Sequence, residues 1–171
     1  MALDIFEYAK QGKVFHASNS ANATLSALST TATGLILTNT YGSGINVAVL
    51  HVGGAYNTAP AAASEVGIAM SPAISQTDVT HTTALTVRSA FLDGTAGKAL
   101  ALADSAATTV GTPVFVRMMM GVNAATTALF SFLDSHIDGA LILPQGTSIQ
   151  LAYVTTAVVG VFSITWLEYK A

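Results

Sequence analysis

Asp134-Ser-His136-Ile-Asp138 is the densest run of groups in this chain that can ligate a metal or move a proton. In an extended backbone alternate residues share a side, so Asp134, His136 and Asp138 would present two carboxylates and an imidazole together. Such a set can hold a divalent cation. A hard cation takes about six to eight oxygen ligands, and no second acidic cluster supplies the remainder. The simpler reading is a solvated loop closed by Asp138-Gly139. No metal or other cofactor is expected; if a cation binds, Asp134, His136 and Asp138 are the residues to hold it.

The other reactive groups are more dispersed. Asp78 and His81 form a second carboxylate–imidazole pair, while His16 and His51 sit inside strand-like patterns, where a lone histidine is ordinarily packed or at an interface. No two histidines have the spacing of a helical or hairpin zinc site. A serine, histidine and aspartate triad converges only in space, and the chain has no Gly-x-Ser-x-Gly elbow to announce one. Tyr41-Gly-Ser-Gly44 and Val52-Gly-Gly54 lack the following helix and lysine of a phosphate loop and read as turns. Asp138 with Glu168 or Glu65 would make a glycosidase pair in some folds, but no spacing singles that pair out. The residues therefore point away from an enzyme.

The elements around these groups are strands. Val14–Ser18 opens the series after a short leader, helical at about residues 3–10, and Asn19–Thr33 reads as a loop or ragged edge strand anchored by Leu25 and Leu28. Leu35–Thr38 and Ile45–Val52 flank a turn with two glycines, a hairpin signal. Val66–Met70, Thr83–Arg88, Lys98–Ala103 and Val114–Met120 follow, with Asp93-Gly94 placed as a two-residue hairpin loop. Ala128–Leu133, Ala140–Leu143, Ser148–Tyr153 and Gly160–Glu168 complete the series. In the last of these Phe162, Ile164 and Trp166 share one face and Ser163 and Thr165 the other. About ten short strands with Gly and Pro turns predict an all-β fold, an antiparallel β-sandwich of jelly-roll type. Residues 1–13 form an N-terminal arm or short helix and residues 14–171 a single sandwich domain.

Composition bounds the function. Only 9% of the 171 residues are charged and 51% are hydrophobic, which favours extensive contact with other protein. The absence of cysteine removes thiol catalysis, iron–sulfur clusters and thiolate zinc sites. Six basic residues against nine acidic ones, dispersed along the chain, disfavour direct binding to nucleic acid, which needs a clustered basic face. Asp4 and Glu7 interrupt what would be the apolar block of a signal peptide, so a cytoplasmic origin is expected and the Asn22-Ala-Thr24 sequon reads as an ordinary polar loop. The charge-free run Leu141–Leu167 has the length of a membrane span. Its β-branched content and Pro144-Gln-Gly146 turn divide it into strands instead. Met118 and Met120 fall on one face and Met119 on the other, and an exposed outward methionine, Met119, would suit an adaptable protein interface.

Gly12–Ser18, Thr38–Leu50 and Ile137–Thr147 leading to Ser163–Glu168 resemble, in style and order, segments of small virion structural proteins of tailed bacteriophages, the capsid decoration or cement proteins. The resemblance covers less than a third of the chain. It implies a jelly-roll or related sandwich, a homotrimer that bridges neighbouring subunits of the major capsid protein on the outer shell, and a virion assembled in the host bacterial cytoplasm. It implies no catalytic residue and no nucleic-acid or membrane partner. The contacts expected for such a role are Phe6 and Tyr8 in the arm, Leu25 and Leu28 in the loop at 19–33, Tyr41, Tyr56 and Met119. The alternative is a receptor- or carbohydrate-binding sandwich of a phage tail or baseplate, with Tyr41 or Tyr56 stacked on sugar rings.

Overall fold

The structure is a computed structural model that describes residues 4–58, 60–72, 79–92, 98–122, 124 and 132–171. One short helix, α1 (Ile5–Lys10), precedes the strands, with the Asp4 carboxylate accepting from the Glu7 N–H at its N-terminus. The strands are β1 (Val14–Ser18), β2 (Ala23–Thr24), β3 (Ser26–Ala27), β4 (Thr31–Asn39), β5 (Ile45–Thr58), β6 (Ser64–Ser71) and β7 (Thr80–Ala84). They continue as β8 (Val87–Ser89), β9 (Leu102–Thr108), β10 (Val114–Val122), β11 (Phe132–Leu143), β12 (Thr147–Tyr153) and β13 (Val159–Lys170).

Two sheets pack face to face, as the alternating pattern requires. The first has the order β11-β5-β13-β1-β8 with β2 added to β13; the second runs β10-β6-β12-β4-β9-β7 with β3 added to β12. Among the described residues all pairings are antiparallel except β12 with β3. Between the sheets lie Phe15, Leu35, Leu37, Val47, Val49, Val52, Ile68, Leu151, Phe162, Ile164 and Trp166, all nearly inaccessible to water. The all-β sandwich expected from the sequence is the observed fold, with thirteen strands among the described residues, in part because Asn19–Thr33 contributes two very short ones and the start of β4.

Several local expectations are corrected. The turn after β4 does not close a hairpin: β4 and β5 belong to opposite sheets, so Thr40–Gly44 is an arch across the sandwich. The Pro144-Gln-Gly146 turn makes the same crossing from β11 to β12. Asn39 ties the two arches, its Nδ2 donating to the carbonyls of Ile45 and Leu143, each at 2.9 Å, and its Oδ1 accepting from the Ser43 hydroxyl at 2.7 Å. The run Thr83–Arg88 is divided between β7 and β8, again in different sheets. Lys98–Ala101 precedes β9 rather than forming its start. The Asp93-Gly94 turn and Ala128–Ser131 lie outside the described residues. Among the described residues no helix is long and apolar enough to cross a membrane, and 141–167 is strand and turn.

Asp134–Gly139 is no loop. It lies within β11, which pairs with β5 in two phases: His136 faces His51, and pairing resumes with Leu141 opposite Val49. Ile137–Ala140 thus bulge opposite the single residue Leu50, with Asp138 and Gly139 both at positive φ (52° and 79°). β5 has its own irregularity against β13, where Thr165 faces His51 but Trp166 faces Val49. Leu50 is the extra residue. The bulge changes the strand's phase, so Val49 and Val52 both reach the core although three residues apart, and Leu50 and His51 both turn outward.

Candidate functional site

The outer face of the first sheet carries a polar row. Register aligns Arg88, His16, Thr165, His51 and His136 across five adjacent strands, β8, β1, β13, β5 and β11. A second row beside it aligns Ser18, Ser163, Gly53 and Asp134. Next to these rows, α1 lays Tyr8 and Ala9 on an apolar patch of Val14, Ala48, Leu50 and Leu167.

His51 links the rows. Its Nε2–H donates to Asp134 Oδ1 at 2.5 Å, and its ring meets the His136 ring edge-on, with centroids 5.0 Å apart. The donor atoms of His51, Asp134 and His136 lie within 4.8 Å of one another. The hydrogen bond from His51 holds the Asp134 carboxyl below its ordinary pKa, with the charges of His51 and His136 acting in the same direction. Gly53 makes the diagonal reach from His51 to Asp134 sterically open: a Cβ there would lie 3.1 Å from both His51 Cε1 and Ser163 Oγ. His16 hydrogen-bonds Thr165 Oγ1 through Nδ1 at 2.8 Å, and burial, then the neighbouring His51, lowers its pKa.

Sequence spacing therefore found two of the three grouped residues. Asp134 and His136 converge as expected, but their partner is His51, 83 residues away from Asp134. Asp138 sits on the bulge and does not belong to the group. Ser163 neighbours the pair, yet its hydroxyl is directed at the Gly53 carbonyl, 3.5 Å away, so the serine–histidine bond of a hydrolytic triad is not made.

The remaining titratable residues take structural positions. Glu168, seen in sequence as half of a carboxylate pair, is buried and accepts from the N–H groups of Leu100 and Ala101 and from Trp166 Nε1. Glu65 accepts from the Thr155 hydroxyl. Of the six cations dispersed in sequence, three converge in space: Lys13, Lys98 and Lys170 line one open cleft of about 290 Å³ whose wall includes Glu168.

Asp78 lies outside the described residues, and the carboxylate beside His81 is Asp104. His81 Nδ1–H donates to Asp104 Oδ2 at 2.6 Å, while Asp104 Oδ1 and His81 Nε2 are buried with no hydrogen-bond partner among the described residues. Burial raises the Asp104 pKa, opposed by the hydrogen bond and charge of His81. The folded protein thus holds this proton more tightly than the unfolded chain. The resulting stabilisation is greatest when the pH is below the unfolded value of about 3.9, and it is lost as pH rises through the folded pKa. Asp104→Asn is expected to remove that fall, with stability at neutral pH unchanged or higher. Urea midpoints taken across the acid range test this, and a loss at neutral pH above about 2 kcal/mol would show that the carboxylate is a net stabiliser.

The interface candidates divide by environment. Phe6, Leu28 and Tyr41 are exposed, at 68%, 41% and 48%. Tyr8 packs on its own sheet beneath α1. Leu25 is core: it lies against Gly34, whose φ of +108° and missing Cβ admit the Leu25 side chain. Tyr56 is core as well, its hydroxyl donating to Met120 Sδ and its pKa pushed up to about 12 by burial. Met119 packs against the core, and the outward methionine is Met118, 52% exposed, because β10 shifts register between Met118 and Met120.

One group of exposed apolar side chains lies where the two sheets end together. Among the described residues β10 pairs only with β6 and β11 only with β5. Between these edges opens a cleft of about 210 Å³ lined by Met70, Val116, Leu141, Ile142, Leu143 and Pro144, with no charged group in its lining. Val114, Val116 and Ile142 are 51%, 43% and 54% exposed.

Compared with known proteins, the chain matches no family model, no curated protein and no solved structure.

Proposed function

We propose that this chain is a structural protein that works by association, a decoration or cement protein of a tailed-bacteriophage virion, and that the open apolar edge formed by β10 and β11 is where it meets a second copy of itself. The observation that carries the reading is this edge. Among the described residues β10 and β11 end their sheets beside an uncharged cleft, an arrangement that invites continued pairing unless it is covered. The low charge of the chain lowers the cost of desolvating such a contact. The resemblance of Gly12–Ser18, Thr38–Leu50 and the C-terminal segments to phage virion proteins supplies the setting, a trimer that bridges subunits of the major capsid protein. A lattice multiplies weak contacts of this kind into firm attachment. The carbohydrate-binding alternative keeps exposed Tyr41 but loses Tyr56 to the core.

Light scattering after size exclusion tests the self-association. The expected result is a particle of three times the 17.4 kDa chain mass, converted to monomer by Val116→Asp or Ile142→Asp, because a carboxylate in a closed apolar contact is left without a partner. A monomeric wild type, or a trimer indifferent to both substitutions, would remove this edge from the assembly. In the wider setting the protein should sediment with assembled shells and ignore free glycans.

A further inference from the structure

We propose that His51, Asp134 and His136 form a binding site for one divalent transition-metal ion of the zinc class on the outer face of the first sheet. The donor set decides the class. Two imidazoles and one carboxylate suit Zn²⁺, Co²⁺, Ni²⁺ or Cu²⁺, whereas Ca²⁺ and Mg²⁺ take oxygen.

Geometry supports the same ion. Donors held about 2.0–2.2 Å from zinc in a tetrahedral shell stand roughly 3.5 Å apart, and the three ligand atoms here are already within 4.8 Å of one another. The 2.5 Å bond from His51 Nε2 to Asp134 Oδ1 places a proton between two of them, and a metal ion would take that proton's place. His136 is exposed and free to turn its ring the remaining distance.

The scaffold is stiff where the ligands are fixed. His51 and His136 are direct cross-strand partners, and Asp134 stands two residues before His136 on the same face of β11. Gly53, opposite Asp134, keeps the intervening position free of a side chain. Three protein ligands leave at least one coordination position open to water, or to a group from a neighbouring molecule.

Titration of the metal-free protein with Co²⁺ and Zn²⁺ tests the site, followed by visible absorption for cobalt and calorimetry for zinc. One ion per chain is expected, with zinc displacing cobalt and Ca²⁺ displacing neither. Removing an outer-shell partner of a metal costs about 10–100-fold in affinity, so His51→Gln, His136→Gln and Asp134→Asn should each weaken binding at least tenfold. His81→Gln, on the other sheet, should leave binding unchanged. Circular dichroism of each variant separates loss of ligand from loss of fold, and His136→Gln, at an exposed position, is the decisive one. No saturable binding by the wild type, or equal binding by a folded His136→Gln, would overturn the proposal.

Discussion

Glu168→Ala will lower the stability of this protein by about 3–5 kcal/mol, the range for stripping one partner from a buried charged network. Glu168 is only 7% exposed. It accepts from Leu100 N at 3.1 and 3.0 Å, from Ala101 N at 2.9 Å and from Trp166 Nε1 at 3.1 Å. Alanine leaves three donors without an acceptor and unfastens residues 100–101 from β13. Glu168→Gln keeps one acceptor oxygen and turns an amide toward N–H groups, so an intermediate loss is expected. Urea unfolding at neutral pH measures both, and an alanine variant within about 1 kcal/mol of wild type would mean that water replaces the carboxylate at little cost.

Trp166→Ala is the second large effect. The indole is fully buried, packs against Phe15 with ring centroids 6.0 Å apart, and donates to Glu168. Large-to-small changes at such positions cost about 3–5 kcal/mol through lost transfer energy and the cavity left behind. The two substitutions share one hydrogen bond, so the double variant should lose less than the sum of the single losses. Strict additivity in the double-mutant cycle would sink the shared-network account.

The parts of the fold legible in the sequence are those where period two is unbroken. Phe162, Ile164 and Trp166 were assigned to the core face of the last strand, and all three are buried there. Val14–Ser18 has the same bounds in the structure. Legibility fails where a bulge shifts the phase. Leu50 and His51 point the same way, so His51 could not be placed outward by counting, and Asp134–Gly139 reads as a loop because the bulge at Ile137–Ala140 carries turn residues inside a strand. The arches at Thr40–Gly44 and Pro144–Gly146 have the chemistry of hairpin turns, and turn residues do not encode whether a strand returns beside its predecessor or crosses to the other sheet. Convergence is the least local property. Neither the meeting of His51 with Asp134 nor the gathering of Lys13, Lys98 and Lys170 has any trace in spacing, because both depend on which distant strands become neighbours.

The place of β13 bears on how the molecule is made. It lies between β5 and β1, pairing with one along nearly its whole length and with the other through Val14–Ser18. The middle of the first sheet is therefore synthesised after every other described strand, and β1 must wait through the making of all of them for its partner. Pairings so distant in sequence belong to the slow end of folding, milliseconds to seconds for all-β domains. Until Thr165 and its neighbours arrive, His16 and His51 have nothing between them, and the half-built sheet is a nascent chain with exposed edges that calls for shielding from its own copies.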